Sequence, residues 1–166
     1  DVIYREADLR VTDVAAEPIG TSGGLVDIAL TVLNAGNRAT RVDRWLDKVY
    51  ISTDQTLDPF DAQVGSFRRD GVVGPGEQYT VTGQVRMPDN IDGDFFLIAF
   101  ADSPLSGRDV AAPFPSTARG ARLTGGGDGA VREFGDEGNN TAQTPIVVEG
   151  VPAPDLVVNL VAADTE

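Results

Sequence analysis

Apolar residues recur at every second position along most of this chain, and such alternation predicts β-strands. The clearest run is LVDIALTVLN, which places four apolar side chains on one side of an extended backbone: Val26, Ile28, Leu30 and Val32. Asp27, Ala29 and Thr31 alternate with them. Because successive side chains of a strand point to opposite faces, this run predicts a strand with one face buried and the other in solvent.

Six further segments carry strand patterns. They are a first strand through Leu9, Val11 and Val14, a third through Trp45, Val49 and Ile51, a short edge strand at Val64 and Phe67, a strand with Tyr79, Val81 and Val85 on its core side, the run FFLIAFA, and a last strand through Ile146 and Val148. FFLIAFA is apolar on both parities, which is typical of a central strand, and the pattern leaves open which parity faces the main core. Glycine-rich and asparagine-rich turns separate the segments, and no helical period intervenes. The sequence therefore predicts an all-β, antiparallel sandwich of about seven strands.

The most distinctive stretch of the chain runs from Trp45 to Gly65 and reads WLDKVYISTDQTLDPFDAQVG. It joins the third strand to a loop with spaced aspartates, Asp54, Asp58 and Asp61. Trp45 is the only tryptophan, and its place on a strand favours a core residue over a platform for stacking a sugar.

Residues 103–138 interrupt the strand rhythm with three prolines and the run TGGGDG. A loop of this length in a compact domain is either functional or mobile. TGGGDG has no lysine and no helix after it, so it is a weak candidate for a phosphate-binding loop.

The tail PAPDLVVNLVA repeats the opening EADLRVTDVAA. Repetition at one domain length predicts a tandem array. The expected organisation is a leading segment at 1–6, a sandwich at 7–150, and a proline-containing linker with the first strand of a next repeat at 151–166. The alternative is that the final strand adds to the edge of this same domain.

Composition narrows the function classes. The 166 residues include 13 basic and 26 acidic ones, a net charge of −13, so nucleic acid and anionic lipid are unfavourable partners. The chain has no histidine and no cysteine, which removes histidine-based triads, thiolate chemistry and histidine-ligated zinc. No apolar window is long enough to span a membrane, and any targeting peptide is expected to lie outside this sequence.

The succession ADLRV, DIALTVLNAGNRAT, WLDKVYISTDQTLDPFDAQVG, VGPGEQYTVTGQVRMP, GDFFLIAFAD, EGNN and TPIVV resembles CARDB, the cell-adhesion-related domain of bacterial surface proteins. The resemblance spans roughly residues 7–149, apart from the loop at 103–132, which is longer than in the family. It implies an immunoglobulin-like sandwich, usually in tandem, at the cell surface or outside the cell. The family has no catalytic residues to carry over, so a non-enzymatic module is expected.

Carboxylates offer two candidate calcium (Ca²⁺) sites. In an immunoglobulin-like sandwich the third strand pairs antiparallel with FFLIAFA, so the aspartate loop should lie at the same end as the residues before that strand. The first candidate cluster is Asp54, Asp58, Asp61, Asp92 and Asp94, and the second, at the opposite end, is Asp47, Asp102, Glu133 and Asn139. Calcium takes about six to eight oxygen ligands, which such clusters could supply. The competing interpretation is that these side chains bond their own backbone in Asx turns.

These observations predict a non-catalytic extracellular adhesion or spacer module in a tandem array, with calcium at these clusters as a candidate stabilising ligand. Its expected partners are neighbouring domains of the same chain, a surface protein or a carbohydrate. The alternative is a carbohydrate-binding accessory module of a secreted enzyme. A glycosidase also uses paired carboxylates, but one tryptophan and three tyrosines leave few aromatics for a substrate cleft.

Overall fold

Eight β-strands form in the computed structural model, which describes residues 6–105, 130–131 and 139–152. Their bounds are β1 Leu9–Ala16, β2 Ile19–Thr21, β3 Leu25–Asn34, β4 Arg44–Ser52, β5 Ala62–Asp70, β6 Gln78–Arg86, β7 Gly93–Ser103 and β8 Thr141–Glu149. Most of the predicted loop at 103–138 and most of the predicted linker at 151–166 lie outside the described residues.

Two sheets face each other. One has three strands in the order β1-β3-β6, and the other has five in the order β2-β8-β7-β4-β5. Every pairing is antiparallel except that of β2 with β8. The described ranges contain no helix, and hence none long and apolar enough to cross a membrane. The predicted all-β sandwich is therefore confirmed.

Three strands differ in detail from the sequence prediction. β1 shifts register between Val11 and Asp13, and this irregularity explains why Leu9, Val11 and Val14 are all buried although their spacing breaks a strict alternation. β5 is nine residues long rather than short. β2 lies in a stretch between the first two predicted strands for which no strand was predicted, and its three residues pair in parallel with β8.

The core lies between the sheets. Val26, Leu30 and Val32 of β3 are at most 1% exposed, as their alternation predicts. Trp45 is fully buried, which confirms its prediction as a core residue. On β7 the parity of Phe95, Leu97 and Ala99 faces this core, whereas Ile98 is buried outside the main cluster. On the opposite face of β7, Ile98 is buried beside its cross-strand partner Tyr50 of β4, so side chains of a neighbouring strand cover part of that face.

Glycines close one side of the sandwich, where the edge strands β5 and β6 meet. A Cβ on Gly65 would lie 2.6 Å from Cγ1 of Val85, and a Cβ on Gly83 would meet the ring of Phe67. The two sheets approach closely here because neither glycine has a side chain, and this contact shields two strand edges.

The polypeptide runs into the sandwich at one end and leaves it at the other. At the first end, Asn37 N–H donates to the carbonyl of Glu6, and Ala35 N–H donates to that of Asp8. At the second end, Gly150 N–H donates to Oδ1 of Asp92 at 2.8 Å. These positions are separated by the length of the strands.

Candidate functional site

The aspartate loop 53–61 lies at the second end, beside the turn that precedes β7. The antiparallel register pairs Ser52 with Phe96 and Ile51 with Leu97, so the end of β4 lies next to the start of β7. This pairing brings the first predicted cluster to one end of the molecule, as expected: Asp54, Asp58, Asp61, Asp92 and Asp94.

Four of these aspartates accept hydrogen bonds from the backbone. Oδ1 of Asp54 accepts from Thr56 N–H, and Oδ1 of Asp58 accepts from Phe60 N–H, each at 2.7 Å. Oδ2 of Asp61 accepts from Asp58 N–H at 2.7 Å. Gly150 N–H provides the corresponding bond to Asp92. The loop is thus shaped by Asx turns, the competing interpretation raised by the sequence.

A cleft of about 210 Å³ opens between this loop and the β6–β7 turn. We call it the aspartate cleft. Its apolar lining is Ile51, Phe60, Pro88, Ile91 and Phe95, and its acidic lining is Asp54, Asp58 and Asp61. Phe60 is 92% exposed, an unusual placement for a large aromatic ring. The cleft therefore combines an apolar surface with a negatively charged rim.

Burial raises the pKa of the Asp61 carboxyl, and the like charges of Asp58 and Asp54 add to this effect. In the described ranges no group of three or more acidic side chains is placed so that it could hold one metal ion. The hydrogen bonds of the Asx turns organise the loop. Calcium at the first cluster stays a prediction.

The described residues of the second predicted cluster do not all lie together. Asp47 and Asp102 lie together, because Asp102 N–H donates to Oδ1 of Asp47 at 3.3 Å. Asn139 instead donates from Nδ2 to Oδ1 of Asp8 at 3.0 Å. Glu133 lies outside the described residues. Asp47 and Asp102 are at most 1% exposed, so they belong to the interior rather than to an open loop site.

Asp47 is the centre of a hydrogen-bond network that connects the two sheets. Tyr79 of β6 donates its hydroxyl proton to the carboxylate of Asp47, with Oη 3.0 Å from Oδ2 and 3.2 Å from Oδ1. The same hydroxyl oxygen accepts from Nε1 of Trp45 at 3.0 Å. The guanidinium carbon of Arg69 lies 4.8 Å from the centroid of the Tyr79 ring. The network ties β4 to β6 through polar contacts inside an apolar core.

Burial raises the pKa of Asp47 to about 6, although the hydrogen bonds from Tyr79 and from the Asp102 backbone partly oppose the shift. The pKa of Tyr79 is also raised, first by burial and then by the negative charge of Asp47. Asp102 adopts φ 72° and accepts a hydrogen bond from Val131 N–H at Oδ1, 2.6 Å away. Asp102 thereby connects the end of β7 to residue 131.

Two residues of these sites escaped the sequence prediction. Tyr79 was predicted as a core residue only, and nothing along the chain indicates that its hydroxyl meets Asp47. Phe60 carries a weak signal, a large apolar residue between Pro59 and Asp61 in a polar loop. Asp47 has the parity of Trp45, Val49 and Ile51, and this parity could have indicated that it faces the core.

Comparison with known proteins identifies the fold. No family model matches the chain, and no curated protein matches it. The crystal structure of the CARDB domain of a Pyrococcus furiosus protein, in complex with di-metal ions, has a TM-score of 0.53 and 17% identity, over 90% of this chain and 100% of that one. A solution NMR structure of the CARDB domain from Pyrococcus furiosus gives 0.51 and 16%, over 88% and 98%. The chain therefore has a CARDB-like fold, as its sequence predicted.

Proposed function

We propose that this chain is a non-catalytic adhesion or spacer module of a larger extracellular bacterial protein, linked in series with similar domains. The observation that carries the proposal is the path of the backbone through a CARDB-like sandwich. Glu6 lies at one end and Gly150 at the opposite end, so copies joined through these ends would extend end to end. Each copy would add roughly 30 Å, the length of a nine-residue strand.

The buried carboxylates favour a structural role over catalysis. Asp47 has the raised pKa that often accompanies catalytic acids, yet it is 1% exposed and its hydrogen bonds come from within the protein. A substrate could not reach it without opening the core between β4 and β6. Such a group fixes the relative position of the two sheets.

Surface labelling of the native host tests the extracellular part of the proposal. Antibodies raised against this domain should bind intact cells or the culture medium, and external protease should remove the signal. A cytoplasmic protein that is released on lysis would serve as the control. Labelling that requires lysis would contradict an extracellular role.

Calcium binding at the first cluster is part of the proposal, supported by the five aspartates near the aspartate cleft and by the di-metal complex of the CARDB domain from Pyrococcus furiosus. A ligand that binds only the folded state raises the melting temperature by mass action. Millimolar calcium should therefore raise the melting temperature of the wild type. Asp58→Asn with Asp61→Asn should remove the shift, whereas Asp13→Asn, on β1, should keep it. An unchanged melting temperature in the wild type would rule calcium out.

Phe60 favours a second candidate, a carbohydrate-binding accessory module. An exposed aromatic ring beside a cleft is a suitable surface for stacking on a sugar, and Phe60 is 92% exposed. Titration with soluble oligosaccharides should then give saturable binding that Phe60→Ala abolishes and that Ile19→Ala leaves unchanged. The absence of binding across a broad glycan panel would remove this candidate.

A further inference from the structure

We propose that the two ends of this sandwich bind each other, so that the aspartate cleft of one copy receives the arginine-rich end of a second copy of this chain. The occupant is thus a further copy in head-to-tail order. This inference rests on the proposed serial arrangement and adds to it a direct contact between successive copies.

The aspartate cleft has the features of a receiving surface. Phe60 projects into solvent beside the half-buried apolar side chains of Ile91 and Phe95. Asp54 and Asp58 lie on the rim. An apolar centre with a polar rim is the usual anatomy of a protein–protein interface, and the sign of this rim selects a positively charged partner.

The opposite end projects an apolar tip. The turn after β5 is fixed to the loop before β4, because Gly71 N–H donates to the carbonyl of Asp43 at 2.7 Å and Thr40 N–H donates to that of Val73 at 3.0 Å. Val73 is 2% exposed and anchors the turn in the core, whereas its neighbour Val72 is 52% exposed. Val72 is therefore held out on a fixed turn.

Arginines surround this tip. We call it the arginine end, made by Val72 with Arg38, Arg41, Arg44, Arg68 and Arg69. Arg44 and Arg68 share a single carboxylate, that of Asp70, at 3.4 and 3.0 Å, so their positive charge is only partly balanced by this residue. Arg41 is paired with Glu6 at 2.6 Å, and Asp43 and Glu77 also lie at this end, so the arginines only slightly outnumber the acidic residues around them. The contrast with the opposite end remains, because in the described ranges that end carries a single arginine, Arg86, which is paired with Asp89, and six aspartates: Asp54, Asp58, Asp61, Asp89, Asp92 and Asp94.

The two ends are complementary in shape and in charge. A valine side chain is small enough for a cleft of about 210 Å³, and the arginine side chains around it would reach the aspartate rim. Since the surfaces in contact differ, each copy keeps one unused end, and the contact builds linear chains rather than closed dimers. Rim charges act mainly on specificity and association rate, so the contact should weaken with salt.

Sedimentation velocity of the full 166-residue chain tests the contact, with a chelator present so that calcium plays no part. Phe60→Ser disables the cleft, and Val72→Asp disables the arginine end. Arg68→Glu is a second way to disable the arginine end if Val72→Asp does not fold. Ile19→Ser and Val147→Asp are matched controls, because both residues are apolar and exposed on the β2–β8 pair, and neither lines the aspartate cleft or belongs to the arginine end.

Wild type and controls should associate increasingly between about 10 μM and 1 mM, the range of weak interfaces. Raising salt from about 0.01 M to about 1 M should weaken the association about tenfold. Each end variant should be monomeric alone, and an equimolar mixture of Phe60→Ser with Val72→Asp should form a one-to-one dimer that grows no further. A monomeric wild type, or a mixture that stays monomeric, would overturn the contact but not the serial spacer, which needs only the covalent link.

Discussion

At the scale of single residues, the most consequential side chain is Asp47, an acid enclosed between two sheets. Removing a carboxylate from water disfavours its charged form, and the hydrogen bonds from Tyr79 and from the backbone of Asp102 offset only part of that cost. The charged carboxylate of Asp47 therefore connects β4 to β6 but lowers the stability of the folded state near neutral pH. Protonation of Asp47 reduces this destabilisation.

We predict that the stability of the wild type falls as the pH rises from about 4 to about 6. In this window the folded state retains the Asp47 proton, because its pKa is about 6, while the unfolded state has lost it with a pKa of 3.8. Over this pH window the free energy of unfolding falls by about 3 kcal/mol. Above about pH 6, Asp47 causes no further change in stability. Denaturant unfolding at several pH values measures this fall. The Asp47→Asn variant should lack this pH dependence, and its free energy of unfolding at pH 7 should equal or exceed that of the wild type. The same fall in stability in the variant would contradict the assignment of the pH dependence to Asp47.

Tyr79→Phe should destabilise the protein by about 1–3 kcal/mol at pH 7, because it removes the donor to Asp47 and the acceptor of the Trp45 indole N–H. The loss should be smaller at pH 4.5, where Asp47 is neutral. It should also shrink in the Asp47→Asn background. Equal losses in all three measurements would mean that the hydroxyl of Tyr79 stabilises the protein without Asp47, through the bond that it accepts from Trp45.

The sequence pattern predicts which residues are buried. It does not predict which polar residues form hydrogen bonds with each other. Trp45 and Val85 were predicted as core residues from alternation alone, and both are fully buried. The Tyr79–Asp47 bond joins strands 32 residues apart, and no periodicity carries such a pairing. The Asx turns of Asp54 and Asp58 are local, so the sequence did suggest them.

At the scale of elements, β5 and β6 form the narrowest contact between the sheets. Gly65 lies against Val85, and Gly83 lies under the ring of Phe67. Two edge strands that cover each other leave fewer unpaired backbone groups open to other chains.

Gly65→Ala should destabilise the fold by about 1–3 kcal/mol, since its Cβ would lie 2.6 Å from a methyl group of the rigid, fully buried Val85. Val85→Ala alone should also destabilise, through a cavity. The double variant should cost less than the two single changes added together, because the new methyl fills part of that cavity. Strictly additive free energies of unfolding would show that β5 and β6 are not in close contact.

Strands that bury one face were predictable from the sequence. The structure departs from the prediction at β2, which was missed, and at β7, whose core-facing side was left open. β3, β4, β6, β7 and β8 were each predicted from their apolar pattern. β2 was missed because three residues are too few to establish an alternation, and its partner β8 is remote in sequence. The parity of β7 that faces the core was undecided because apolar residues occupy both of its faces, and on the outer face Ile98 is buried beside Tyr50 of β4.

At the scale of the whole molecule, the two ends differ in chemistry, and the backbone connects one to the other. The aspartate cleft and the arginine end lie at opposite ends of the same strands. The grouping of aspartates at one end was predictable once β4 and β7 were paired. The exposure of Phe60 and Val72 was not, because it depends on how two loops leave the sheets.

Small-angle scattering of a chain with two copies of residues 6–152 joined in series tests the central claim, that this domain is a unit of length. We predict a maximum dimension greater than that of one copy by roughly 30 Å, the length of a nine-residue strand, in both low and high salt. An unchanged maximum dimension, with the two copies packed side by side, would contradict it.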